Sequence, residues 1–181
     1  MAAREIITLP DPVLRLKARK VPAVTEDVRS LIDDMVETMR VAPGVGLAAP
    51  QVGDSRRVIV VEYAEPPEQE GEPARPSKLF ALVNPEIVRH SPDQVAGVEG
   101  CLSVPGYLGE VERFESLTLK GLNRQGEPVR IKASGWLARV FQHEIDHLDG
   151  VLFVVRVEGP DKLRRTTDDG ESKPVAPTVA A

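Results

Sequence analysis

The stretch QHEIDHLDG, at residues 142–150, constrains the fold most because it defines both a helix and the chemistry that the helix carries. It contains the pattern H-E-x-x-H: His143 and His147 lie four residues apart, and Glu144 directly follows the first histidine. Residues i and i+4 of an α-helix lie on one face, with Cβ atoms about 5–6 Å apart. Both imidazoles can therefore bind one metal ion, with the glutamate beside them as a general base.

The third metal ligand is left open by this pattern, because a catalytic site is expected to have three protein ligands and one open position. The longer metzincin pattern fails at Phe153, which cannot bind a metal. Glu158 and Glu171 lie in or near a predicted tail. Cys101 and His90 remain. A lone cysteine is more often a small buried hydrophobe, but one thiolate with two imidazoles is a plausible catalytic set, so we favour Cys101 over His90.

Composition limits the class of protein and the partners. The 181 residues fit one domain, and the 41% hydrophobic content is ordinary for a globular protein. The net charge of −5 and the lack of a basic run argue against direct nucleic-acid binding. No apolar run is long enough for a membrane span, and the first residues lack a signal peptide's apolar region. The single cysteine suits a reducing cytoplasm.

Two helices are predicted. From Thr25 to Arg40 the apolar residues form one stripe at helical spacing, with Thr25 as the N-cap, which predicts an N-terminal amphipathic helix. The second helix covers 135–149, with Ser134 as its N-cap and Gly150 as its left-handed terminator. This second helix carries the metal-binding pattern.

Short β-type runs between turn residues predict strands at 57–63, 79–84, 86–90, 115–123, 127–133 and 151–155. The fold class is therefore α+β, with antiparallel or mixed strands around a central metal-binding helix. The acidic, proline-rich stretch 64–78 is expected to be an exposed loop. We expect a catalytic domain over 1–157 and a flexible tail over 158–181, where large apolar residues are almost absent.

Three motifs together resemble one family, the peptide deformylases. They are GVGLAAPQ at 44–51, EGCLS at 99–103 and QHEIDHLDG at 142–150, in family order. The opening IITLPDPVLRLKA is also similar to the family's N-terminal segment, so the resemblance covers roughly residues 4–156.

The resemblance implies a hydrolase of protein biosynthesis that removes the N-formyl group from the formylmethionine of new polypeptides and releases formate. It implies one metal ion held by Cys101, His143 and His147, usually Fe(II), with Zn(II) or Ni(II) able to occupy the same site. Several borderline metals suit a thiolate and two imidazoles. Glu144 would transfer protons between water and the leaving amine.

Further residues are assigned by the same resemblance. The Gln51 side-chain amide and the Leu102 backbone N–H would stabilise the oxyanion. The segment Gly44, Val45 and Gly46 would pair with the substrate peptide, and Val45 and Leu102 would line the methionine pocket. An ion pair between Glu99 and Arg113 would steady the Cys101 loop.

One departure stands out. Many members of the family carry an arginine shortly after C-L-S, where this chain has VPGYLGEVER with Tyr107 and Leu108.

The partners that the resemblance implies are N-formylmethionyl nascent peptides, in the cytoplasm and in the vicinity of the ribosome.

Two other functions use the same residues. The first is a different H-E-x-x-H metallohydrolase, such as an endopeptidase; the intact EGCLS and the missing downstream ligand argue against it. The second is a non-catalytic binding module whose fold is stabilised by a structural metal ion. A structural site of that kind needs four protein ligands, and His90 is the one further His or Cys in the sequence that could complete it.

Overall fold

Two antiparallel sheets and two long helices make up the fold in the computed structural model, which describes residues 2–42, 44–65, 75–166 and 172–174. The α+β class with antiparallel sheets is thereby confirmed. The helices are α1 (Glu26–Val41), α2 (Gly135–Leu148) and the short α3 (Phe153–Arg156). The strands are β1 (Gly46–Ala48), β2 (Val58–Tyr63), β3 (Lys78–His90), β4 (Gln94–Cys101), β5 (Val104–Phe114), β6 (Ser116–Leu122), β7 (Pro128–Ser134), β8 (Leu163–Thr166) and β9 (Ser172–Pro174).

The first sheet, in the order β1-β2-β3-β6-β7, is covered by a helix on each face. Strand β2 shows this most clearly, since successive side chains of a strand point to opposite faces. Val58 and Val60 pack in the cluster that contains the buried side of α1, whereas Ile59 and Val61 pack in the cluster that contains α2. Both faces of β2 are buried against apolar side chains, which explains why this strand is an apolar run without polar alternation.

Helix α2 is buried almost all round, from Ala138 to Leu148. Phe141, Ile145 and Leu148 pack on the first sheet, and the Phe141 ring meets Phe80 edge-on with ring centroids 5.4 Å apart. The polar residues of the helix are buried as well and require partners. The second sheet supplies them.

The second sheet has the order β4-β5-β8-β9 and is built on the β4–β5 hairpin, which the sequence did not predict. A separate apolar cluster supports it, formed by Leu14, Val104, Val111, Leu152 and Phe153. The last residues of β4 include Glu99 and Cys101, and the register shifts between Gly100 and Cys101. The hairpin thus brings the EGCLS segment to α2.

Two predicted strands, 79–84 and 86–90, form one strand in the structure, so the predicted break between them was wrong. β3 continues through this point with a register shift between Val83 and Glu86. Asn84 has a positive φ of 53°. Its side chain accepts a hydrogen bond from the Val21 N–H and donates one to the Val21 carbonyl. The irregularity is therefore a bulge fixed by side-chain bonds rather than a turn.

The prediction of a strand at 151–155 was also wrong, because α3 covers residues 153–155 of this range. Gly150 terminates α2 with φ 74°, and the Val151 N–H donates to the Asp146 carbonyl. The chain therefore stays close to the end of α2. Leu152 and Phe153 are completely or almost completely buried in the cluster beneath β5. Burial of these two side chains explains their apolar character without a neighbouring strand.

Some expectations at the boundaries remain predictions. Thr25 and Ser134 occupy the N-cap positions, but neither side chain makes a capping hydrogen bond. Residues 66–74 of the predicted loop lie outside the described residues, as do residues 167–171 and 175–181 of the predicted tail. Within that tail, β8 pairs with β5, and the domain limit at residue 157 stays a prediction. In the part of the chain that the structure describes, no helix is long and apolar enough to cross a membrane.

The packing of α2 on the first sheet predicts a large loss of stability on truncation of Phe141. Phe141→Ala removes a side chain with no exposed surface and should lower the free energy of unfolding by about 3–5 kcal/mol. Val155→Ala, at a side chain that is 63% exposed, should change it by less than about 0.5 kcal/mol. Urea unfolding at matched metal content measures both, and equal midpoints for the two variants would refute this packing.

Candidate metal centre

Helix α2 and the end of β4 bring Cys101, His143 and His147 together. One ligand atom of each lies within 4.8 Å of those of the other two. The Cys101 Sγ is 3.2 Å from the His147 Nε2. His147 is 1% exposed, and His143 is 9% exposed at the edge of a cleft. These three residues are the metal ligands that the resemblance implies, and they could hold one ion.

The orientation of His143 is fixed by Glu99. The Nδ1–H of His143 donates to the Glu99 Oε2 at 2.9 Å. Burial raises the pKa of the Glu99 carboxyl, but hydrogen bonds from Arg113 and His143 outweigh burial and lower this pKa to about 2. An ionised carboxylate only accepts hydrogen bonds, so a neutral His143 imidazole, the form that binds a metal, carries its proton on Nδ1. The Nε2 lone pair is therefore free to bind a metal.

The Glu99 carboxylate lies in a network of buried charges. Arg113 donates to both of its oxygens at 2.9 Å, and Arg139 donates to Oε1 at 2.8 Å. Arg113 also donates to the Asp146 Oδ2 at 2.6 Å, and Arg156 binds the same carboxylate. The ion pair expected between Glu99 and Arg113 is thus present. Arg139, Asp146 and Arg156 were not anticipated as parts of it.

Glu144 lies beside the ligands with one oxygen unsatisfied. Its Oε2 is buried and has no hydrogen-bond partner among the described residues. Burial raises the pKa of this carboxyl to about 7. A Cβ on Gly46 would overlap the Glu144 Oε1, so the backbone of β1 approaches the carboxylate as closely as only glycine permits. This unpartnered oxygen could accept a hydrogen bond from a water molecule.

Gln51 points its amide group toward the same cluster. Its Oε1 accepts a hydrogen bond from the Ala48 N–H at 2.8 Å, which leaves the NH₂ group facing Cys101 and Ser103. The Nε2 is 3.7 Å from the Cys101 Sγ and 3.2 Å from the Ser103 Oγ. Ser103 is fully buried and was not singled out from the sequence, although it is the last residue of EGCLS.

A cleft opens beside these groups. Its apolar lining includes Val45, Leu102, Trp136 and Val140. Gly44 lies against the Leu102 side chain, since a Cβ there would stand 2.9 Å from Cδ1. All the residues assigned to the substrate are thus at or next to this cleft.

The residues present fit a divalent metal ion. A thiolate and two imidazoles are ligands of Zn(II) and similar ions. The unpartnered Glu144 Oε2, and the likewise buried and unpartnered His147 Nδ1, mark a polar interior that the described residues do not satisfy. The rival ligand His90 is exposed elsewhere, with its ring stacked on Phe114 at a centroid distance of 3.7 Å. Three protein ligands beside an open cleft correspond to a catalytic rather than a closed structural site.

A family model described as "Polypeptide deformylase" matches residues 3–163. A peptide deformylase of Thermomicrobium roseum is 52% identical over 180 residues, which are 98% of this chain and 99% of the relative. One of Dehalococcoides mccartyi is 47% identical over 171 residues, 94% of this chain and 96% of the relative.

Solved structures are similar as well. The crystal structure of peptide deformylase from Ehrlichia chaffeensis is 40% identical, with a TM-score of 0.79 over 87% of this chain and 89% of that one. The structure from Thermotoga maritima is 40% identical, with a TM-score of 0.77 over 88% of this chain and 100% of that one.

The geometry predicts which side chains hold the ion. Cys101→Ala and His147→Ala should each weaken metal binding by more than the about 10–100-fold that loss of an outer hydrogen-bond partner costs. His90→Ala should bind one ion per chain, as the wild type does. Metal analysis after anaerobic loading with Zn(II) and desalting measures this. Retention of the ion by both ligand variants, or its loss from His90→Ala, would contradict the assignment.

Proposed function

Since the chain belongs to the polypeptide deformylase family, whose activity is removal of the formyl group from nascent peptides, we propose that its reaction takes place in the cleft beside Cys101. The enzyme is a hydrolase, and formylmethionyl peptides are its substrates. The single observation that carries the assignment to this cleft is the thiol of β4, which completes the H-E-x-x-H pair of α2 beside the amide of Gln51.

Cys101, His143 and His147 would hold one divalent ion, for which Fe(II) is our first choice, with Zn(II) or Ni(II) as substitutes. When bound, such an ion lowers the pKa of a water ligand and so supplies a nucleophile near neutral pH. The chain contributes the His143 tautomer that Glu99 fixes. Its cleft also leaves one side of the metal ligands open to a substrate.

Glu144 is the proton-transfer group in this proposal. A water oxygen adds to the formyl carbon, Glu144 takes the proton of that water, and the C–N bond then breaks. The departing amine receives the proton, and formate is released. A pKa near 7, raised by burial, suits a group that must accept and return a proton near neutral pH.

The oxyanion that forms at the formyl oxygen needs donors that are oriented beforehand. We assign these to the Gln51 NH₂ group and the Leu102 backbone N–H. The bond from the Ala48 N–H to the Gln51 Oε1 prevents the amide from flipping. Loss of one such donor typically costs about 10²–10³ in kcat.

The peptide would lie along β1. This strand is at the edge of the first sheet, so one side of its backbone can pair with an extended peptide. Gly44 and Gly46 keep that approach free of side chains. Val45, Leu102, Trp136 and Val140 would surround the methionine side chain.

The substrate also sets the place of action. We propose that the enzyme acts in protein biosynthesis, in the cytoplasm and in the vicinity of the ribosome, because formylated chains originate there. No direct binding to nucleic acid is proposed for a chain of net charge −5.

Formate release from formyl-Met-Ala by the anaerobically purified, metal-loaded protein tests the function. Glu144→Gln should keep the ion and lose about 10²–10⁴ in kcat, because it removes the proton-transfer group. An unformylated longer peptide is the control for endopeptidase activity. Internal cleavage of that peptide without formate release would show that the protein is an endopeptidase and not a deformylase.

A second prediction concerns the contact between β1 and Glu144. Gly46→Ala places a methyl group where the Glu144 carboxylate lies, and a displacement of about 1 Å should lower kcat by about 10²-fold. Gly44→Ala is the matched change, since it meets the flexible end of Leu102 and should act mainly on KM. Steady-state kinetics separate the two, and equal kcat values would rule out the contact as a determinant of the reaction.

A further inference from the structure

Arg139 is a buried arginine of α2 that neither the sequence motifs nor the proposed reaction uses. Its side chain is 8% exposed. Full burial of an arginine is rare unless its charge is paired. Arg139 lies one helical turn before His143, and residues four apart share a helix face. The guanidinium therefore projects on the side of α2 that carries the metal site.

The partners of Arg139 lie almost entirely on the strands of the second sheet. Its Nη1 donates to the Glu99 Oε1 at 2.8 Å and to the Val111 carbonyl at 2.8 Å. Its Nη2 donates to the Val95 carbonyl, and Nη1 makes a longer contact of 3.4 Å to the Gly97 carbonyl. One side chain thus joins α2 to the backbone of both β4 and β5.

Gly97 makes this position possible. A Cβ at residue 97 would lie 2.7 Å from the Arg139 Cζ, so the guanidinium rests directly on the backbone of β4. A glycine in the interior of a strand weakens that strand, and here it marks the close approach of a functional side chain.

The metal site is divided between the same two elements. α2 carries both histidines, and β4 carries Cys101 together with Glu99, which fixes the His143 tautomer. The Glu99 carboxylate accepts four hydrogen bonds, two from Arg113 and one each from Arg139 and His143. Without Arg139, Oε1 would keep one donor, and the carboxylate would be held by Arg113 and His143 alone.

We propose that Arg139 is a positioning residue for the metal site: it holds Glu99 and the end of β4 against α2, so that His143 and Cys101 meet one ion at the correct separation. This inference rests on the proposed function, because it presumes that the three ligands bind metal. Among the described residues, the Arg139 side chain donates hydrogen bonds to Glu99 and to the backbone of β4 and β5, and not to Cys101, His143 or His147. Its effect passes through Glu99 and β4.

The first test is the rate at which a chelator removes Zn(II) from the loaded protein without substrate. Arg139→Met keeps an apolar stem of similar length and should lose the ion about 10–100-fold faster, the usual cost of losing an outer partner of a metal ligand. Arg139→Lys retains a cation and should recover part of the loss. Arg29→Met, at a surface arginine paired with Glu26, is the matched control and should behave as the wild type.

A second variant displaces Arg139 without removing it. Gly97→Ala should accelerate metal loss in the same direction. The double variant Gly97→Ala/Arg139→Met should lose the ion no faster than Arg139→Met alone, because both changes break one interaction. Additive effects would show that Gly97 acts independently of Arg139 and would overturn the link.

A third readout separates positioning from a general effect on stability. The chain has three histidines, so the long-range ¹H–¹⁵N spectrum of ¹⁵N-histidine-labelled, Zn(II)-loaded protein is simple. In Arg139→Met the His143 Nδ1–H should exchange faster with water, whereas the His90 signals should not move. Unchanged His143 exchange together with an unchanged rate of metal loss would overturn the proposal.

If Arg139→Met does not fold, Arg139→Lys and Gly97→Ala decide the question: unchanged metal loss in both overturns it, and faster loss in both supports it. Failure of the proposed function is distinguishable from this outcome. A wild-type protein that binds Zn(II) but releases no formate would end the deformylase assignment, whereas the comparison of metal-loss rates would still test the role of Arg139.

Discussion

The Glu99 carboxylate is almost fully buried beside the cleft and is held by two arginines and a histidine, and we propose that the geometry of the metal centre depends on that arrangement. Burying a carboxylate is costly unless it is paired and its oxygens are hydrogen-bonded. Each oxygen here accepts two bonds. Arg113 extends the network to Asp146 on α2. Removal of one partner would leave the charge of this buried carboxylate less well paired, so we expect the network to tolerate few substitutions.

The fold explains how a helix with so many polar residues can be buried. α2 meets the first sheet through apolar side chains such as Phe141 and Leu148, and it meets the second sheet through His143, Asp146 and Arg139. The apolar side supplies the stability, and the polar side supplies the site. The glycines of the two adjoining strands let the backbone approach closely, at Gly46 beside Glu144 and at Gly97 beside Arg139.

The sequence predicts the residues of the candidate site but not the frame that positions them. Spacing in H-E-x-x-H predicts two ligands on one helix face, and Cys101 followed from the lack of a better third ligand. Strand β4 was not predicted because QVAGVEGC contains two glycines, which are depleted in strands, and lacks a regular apolar alternation. Arg139 was not identified from the sequence because an arginine is normally expected at the surface. The run 151–155 was misread because burial in a short helix and in a strand select similar residues.

In the proposed site, one thiolate and two imidazoles hold the ion and leave one position open. X-ray absorption at the zinc edge of the Zn(II)-loaded protein measures this directly. We expect one sulfur at about 2.3 Å, two imidazole nitrogens at about 2.0–2.1 Å and one further oxygen that exchanges with solvent. A zinc ion without a sulfur neighbour, or one closed by four protein ligands, would contradict it.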